Sequence, residues 1–129
     1  MSIDLKACTQ CLCLASRRLA RDVTRLFDQK LRPEGLRATQ YSVLAMLAAR
    51  GGSRRGALAA DLGLDRTTLT RSLAVLESRG WIRMTGSDDA RERPVEITPA
   101  GRAKLEQAFP AWQAAQREAT AKWKGLRVS

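Results

Sequence analysis

Residues 57–80 read ALAADLGLDRTTLTRSLAVLESRG: two amphipathic segments hinged on one glycine and closed by another. This stretch limits the possible folds more than any other. Leu69, Leu73 and Leu76 fall at i, i+4 and i+7, so a helix over residues 66–78 must turn that face inward. Gly63 supplies the left-handed backbone that a tight interhelical turn requires. Asp65 is a good N-cap, and its charge suits the positive end of the helix that follows. In the preceding short helix, about residues 54–62, Ala59 and Ala60 are small enough for a second helix to approach closely. With the leucines committed inward, Arg66, Thr67, Thr70 and Arg71 are left on the outside of the second helix at its start, with Thr68 among them.

The rest of the chain builds around this pair. Residues 8–31 read as a helix, with Leu12, Leu19, Val23, Leu26 and Phe27 at helical steps and Arg17, Arg18, Arg21 and Arg25 between them. RPEG at 32–35 stops it. Thr39 is placed to cap a helix through Ala49, whose buried stripe is Tyr41, Leu44, Leu47 and Ala48. GGS at 51–53 breaks the chain again. Residues 81–84 and 94–97 read as two strands joined by the polar loop TGSDDARER, a hairpin with a long tip. Thr98-Pro99 starts a last helix, because threonine caps and proline is tolerated at the first helical position. Its apolar stripe is Leu105, Ala108, Phe109, Trp112, Ala115, Ala119 and Trp123, and Pro110 is expected to bend it. The expected fold is one domain, mainly α with a small β-hairpin wing: a winged helix-turn-helix.

Charge and composition narrow the function. The 129 residues carry 23 Lys plus Arg against 13 Asp plus Glu, a formal charge of +10, and 18 of the basic residues are arginine. That balance suits a polyanionic partner, and arginine makes planar, bidentate contacts to phosphates and base edges that lysine does not. An arginine excess also arises from genome composition alone. There is no histidine, which removes Ser-His and Cys-His catalysis and histidine metal sites. No apolar run approaches a membrane span, and the N-terminus MSIDLKACTQ lacks the form of a signal peptide, so the expectation is a cytoplasmic protein with reduced cysteines.

In a helix-turn-helix the start of the second helix enters the major groove of duplex DNA. Arg66 and Arg71 can then grip guanine edges, and Thr67, Thr68 and Thr70 offer hydroxyls to bases or phosphates and methyls to thymine. Asp65 organises the free N–H groups that can hold a phosphate. Arg54 and Arg55 are placed for phosphate contact, which positions without specifying. At the hairpin tip, Arg91 and Arg93 alternate and suit the narrow, electronegative minor groove, with Asp89 near enough to orient Arg91. The bland alternative is an exposed helix start and a solvated loop whose ion pairs contribute little. Two rival functions are a nonspecific architectural nucleic-acid-binding protein, which would show no operator preference, and a small thiol enzyme using CTQCLC.

The segment LAADLGLDRTTLTRSLAVLESRGWIR…DDARERPVEITPAG resembles the winged helix of the MarR family of bacterial transcriptional regulators. LESRGWIR resembles that family's passage from recognition helix to wing, and DARERPVEITPAGR its passage from wing to helix, with Asp-x-Arg at Asp89 and Arg91. GLRATQYSVLAML resembles its second helix. The resemblance implies a homodimer on a pseudo-palindromic operator and repression relieved by a small molecule, oxidant or thiophilic metal(loid). It implies dimerisation helices at 8–31 and 99–124 flanking a winged helix-turn-helix at 39–98, with no cofactor required. Trp112 and Trp123, beyond the winged core, support a dimer independently, because a monomer would leave them as an exposed apolar patch. The family's usual final helix has no counterpart before the chain stops at GLRVS, so the dimer is expected to rest on the first and last helices.

Cys8, Cys11 and Cys13 lie at the start of the first helix. On one regular helix Cys8 and Cys11 sit about 60° apart and Cys13 nearly opposite, so all three cannot reach one ion. The resemblance aligns Cys13 with the reactive cysteine of the family's hydroperoxide sensors, whose tyrosine partners reduce here to Tyr41. Three readings stand: inert packing, thiol redox sensing, and capture of a soft metal or metalloid.

Overall fold

The computed structural model describes residues 2–86 and 93–126. In chain order it has α1 (Leu5–Thr9), α2 (Leu12–Leu31), a 3₁₀ turn (Arg32–Glu34), α3 (Ala38–Arg50), β1 (Ser53–Arg54), α4 (Arg55–Leu62), α5 (Arg66–Ser78), β2 (Ile82–Met84), β3 (Pro94–Ile97) and α6 (Pro99–Lys122). The fold is mainly helical with one small antiparallel sheet of order β1-β3-β2, as expected for a winged helix-turn-helix.

The core follows from the apolar spacing. Val43, Leu44 and Leu47 of α3, Leu58 of α4, Leu73 and Leu76 of α5 and Val95 of β3 are fully buried, and Leu69 and Ile82 nearly so. Each such aliphatic side chain contributes about 1.5–3 kcal/mol relative to exposure. Gly63 takes the left-handed conformation (φ 63°) and closes the α4–α5 turn, with Leu64 N donating to Ala59 O at 3.0 Å.

The wing is anchored to the body at one tight point. Ile82 pairs with Ile97 and Met84 with Val95. Thr98 caps α6 by accepting from Gly101 N at 3.0 Å, while its own hydroxyl donates to Gly80 O at 2.6 Å. Gly101 presses against Trp81, so closely that a Cβ there would meet the Trp81 carbonyl oxygen at 2.0 Å. One threonine and one glycine thus lock the end of α5, the base of the wing and the start of α6 together.

Four expectations need correction. The first helix is broken: α1 ends at Thr9, and α2 starts at Leu12 with Cys11 as its N-cap. Leu12 is 83% exposed rather than buried, and Leu19, Val23, Leu26 and Phe27 are only half-buried. α3 begins at Ala38 with Arg37 as N-cap, not at Thr39. Its free N–H groups are taken by Asp28, whose Oδ1 accepts from Ala38 N at 2.7 Å, and by Gln40, whose Oε1 accepts from Arg37 N. Finally, Ser53–Arg54 forms a third strand on β3 that the sequence does not announce. α6 continues through Pro110 to Lys122. Among the described residues no helix is long and apolar enough to cross a membrane.

Candidate nucleic-acid interface

The start of α5 is set by its cap. Asp65 Oδ1 accepts from Thr68 N at 2.7 Å. The backbone and side chain of Thr68 hold the Asp65 carboxyl below its usual range, and Arg71 adds a smaller electrostatic pull in the same direction. With Leu69, Leu73 and Leu76 buried, Arg66, Thr67, Thr70 and Arg71 are all exposed. No described neighbour of the chain covers this guanidinium and hydroxyl face.

Other expected contacts fall on either side of it. Thr68 is half-buried and lines a cleft of about 320 Å³ with Arg37, Thr39, Gln40, Arg71 and Ser72, between the start of α3 and α5. Arg37 and Thr39 thereby join the same face; sequence separation hid them, because they precede α5 by some thirty residues. Arg54 is exposed on β1. Arg55 differs from Arg54: its Nη2 lies 3.1 Å from Met84 Sδ at the base of the wing, and its Nε is buried without a hydrogen-bond partner. It also lines a cleft with Gly56, Arg66 and Thr70, so it sits under the interface rather than on its rim. Arg93 is half-buried just before β3, and Asp89 and Arg91 lie outside the described residues. At the wing's base Arg83 and Glu96 form an ion pair at 3.2 Å across β2 and β3.

The cysteines lie away from this face. Cys8 is in α1, Cys11 caps α2 and Cys13 is in its first turn, and all three thiols are exposed. The break at Gln10–Cys11 removes the single-helix geometry expected for them. Arg17 Nη1 lies 3.3 Å from Cys13 Sγ. Among the described residues no three cysteine or carboxylate side chains are arranged to hold a metal ion. Tyr41 is not beside a thiol in any described contact; it is buried and stacks on Trp112 with ring centroids 5.9 Å apart, and burial raises its hydroxyl above the usual range.

Comparisons with known proteins agree with this geometry. Residues 36–92 match the MarR family. The M. tuberculosis transcriptional regulator MosR, solved in complex with DNA, is similar at 43% identity and a TM-score of 0.76, over 86% of this chain and 81% of that one. A cysteine-to-serine variant of E. coli MarR, solved with operator DNA, is similar at 26% identity and a TM-score of 0.73, over 86% and 81%. The uncharacterised HTH-type transcriptional regulator YwoH of Bacillus subtilis is 31% identical over 88 residues, 68% of this chain. The chain spans 64% of the length of that curated relative. The motif, the fold and these likenesses converge: the chain belongs to the MarR family, a family of transcriptional regulators rather than enzymes.

Proposed function

We propose that this chain is a sequence-specific, double-stranded DNA-binding repressor that works as a homodimer on a pseudo-palindromic operator. Arg66, Thr67, Thr70 and Arg71 read base edges in the major groove, with Thr68 and Asp65 holding the helix start in place. Arg54 and Arg55, the second from beneath, engage phosphate, and Arg91 and Arg93 engage the minor groove. One observation carries the reading: α5 buries its three leucines and leaves both arginines at its start exposed. The similarity to MosR, solved with DNA, and to E. coli MarR, solved with operator DNA, supports DNA as the partner. α2 and α6 form the dimerisation region, and residues 39–98 the winged helix-turn-helix.

Selection of bound duplexes from a random pool tests this. The expected product is an inverted repeat whose half-sites lie about 34 Å, one helical turn, apart. A pool that stays random after several rounds would leave only the nonspecific architectural reading.

The relief of repression is assigned to the thiols. Three exposed cysteines lie within six residues, and Arg17 contacts Cys13 Sγ. A peroxide would oxidise one thiol to a sulfenic acid, leaving as alcohol or water, and a second thiol would displace water to form a disulfide. Operator binding by reduced, peroxide-treated and metalloid-treated protein is expected to fall on treatment. Unchanged binding in all three would assign the cysteines to inert packing.

A further inference from the structure

Arg55 carries a charge that the rest of the chain leaves largely unanswered. Its Nε is buried with no hydrogen-bond partner, and its Nη2 reaches Met84 Sδ at 3.1 Å. Among the described residues no carboxylate pairs with it. A thioether sulfur is a weak acceptor, so this contact meets little of what a partly buried guanidinium demands.

Met84 ends β2 opposite Val95 of β3 and is half-buried at the base of the wing. Arg55 also lines a cleft with Arg66 and Thr70 at the start of α5. It therefore stands between a sulfur at the wing base and the face assigned to DNA. Met46, the other described methionine, is placed differently. It lines an apolar groove with Ala45, Phe109 and Trp112, where no basic residue is at hand. Its sulfur accepts no hydrogen bond among the described residues.

We propose that Met84 is a methionine-oxidation site at which a hydroperoxide loosens the protein from DNA. A thioether sulfur has two lone pairs, and the one not engaged by Arg55 attacks the terminal oxygen of the peroxide. The S–O bond forms as the O–O bond breaks. The proton of the attacked hydroxyl passes to the departing oxygen, which leaves as alcohol or water. Sulfur is oxidised by two electrons and the peroxide is reduced by two. The sulfoxide oxygen is the negative end of the S–O dipole, a strong acceptor where the thioether was a weak one. Beside a cationic N–H it makes a charge-assisted hydrogen bond. Arg55 is then held at the wing base, and the phosphate contact assigned to it is lost. At Met46 no cation stabilises the same dipole, and burying it in an apolar lining is costly. The effect on binding rests on the DNA reading above; the oxidation site does not, and it is independent of the thiols.

The test uses full-length protein with Cys8, Cys11 and Cys13 replaced by serine, all three being exposed. It is treated with tert-butyl hydroperoxide, and the two sulfoxides are read by mass after trypsin, on residues 84–91 and 38–50. Met84 is expected to oxidise before Met46. Operator affinity should fall about tenfold, the scale of one charge-assisted contact, and the salt slope by about one phosphate. Methionine sulfoxide reductases, one for each epimer, should restore both. Met84→Leu should bind operator alike before and after treatment. In Arg55→Gln, oxidation of Met84 should cost no further affinity. Oxidation of Met46 ahead of Met84, or full oxidation of Met84 with operator affinity unchanged, would overturn the proposal. A chain that selects and binds no duplex before treatment would overturn the DNA reading instead, and the order of oxidation would still decide the methionine site.

Discussion

The two ends of the molecule solve the burial problem differently. From Leu31 to Ala115 the chain buries its own apolar surface: among the described residues every fully buried apolar side chain lies in that span, drawn from the last residue of α2 and from α3, α4, α5, the sheet and α6. Residues 2–30 contribute none, and the apolar stripe of α2 is at best half covered. Both regions have helical periodicity, but only the first has its apolar face fully covered within one chain; that of α2 is half covered, by α6 and α3. Periodicity therefore specifies that a face will be covered, and not by whom.

Substitutions can break this contrast. The largest expected effect is in the span from Leu31 to Ala115: Leu73→Ala removes a fully buried side chain and should cost about 2–5 kcal/mol, read as a lowered midpoint in urea. Leu12→Ala, at 83% exposure, should leave that midpoint unchanged at low protein concentration and weaken self-association instead. Equal losses at both positions would erase the distinction. Gly101→Ala follows, because its Cβ would collide with the Trp81 carbonyl; overpacking of this kind costs about 1–3 kcal/mol. Thermal melting should show it, together with weaker DNA binding as the wing base shifts.

Smaller effects sharpen the interface. Arg54→Ala should weaken binding to operator and random DNA alike and reduce the salt slope by about one. The Asp65 cap should act through pH. Its folded carboxyl titrates below the usual range, so its contribution is present above the unfolded carboxylate pKa and lost as pH falls through the folded value. Asp65→Asn, which keeps an acceptor for Thr68 N but not the charge, should flatten that acid dependence, as read from thermal melts across the acidic range.

Much of this was legible in the sequence. Leu69, Leu73 and Leu76 oriented α5, Asp65 and Gly63 placed its start, and Thr98-Pro99 placed the start of α6, because each of these signals is local. What was hidden depends on distant partners. The start of α3 is held by Asp28 from another helix, so Thr39 looked like the cap. β1 is two residues long and exists only through its pairing with β3. Arg55 looked equivalent to Arg54 until Met84 came beside it. Arg37 joined the interface only when α3 packed across α5.

The most direct test of the central claim is competition binding of wild type and Arg71→Ala on the selected operator and on random duplex at one salt concentration. A guanidinium reading a base edge predicts that the variant loses about 1–3 kcal/mol on the operator and far less on random DNA, so the specificity ratio collapses. An equal loss on both duplexes would contradict base reading by α5 and reduce Arg71 to a phosphate contact.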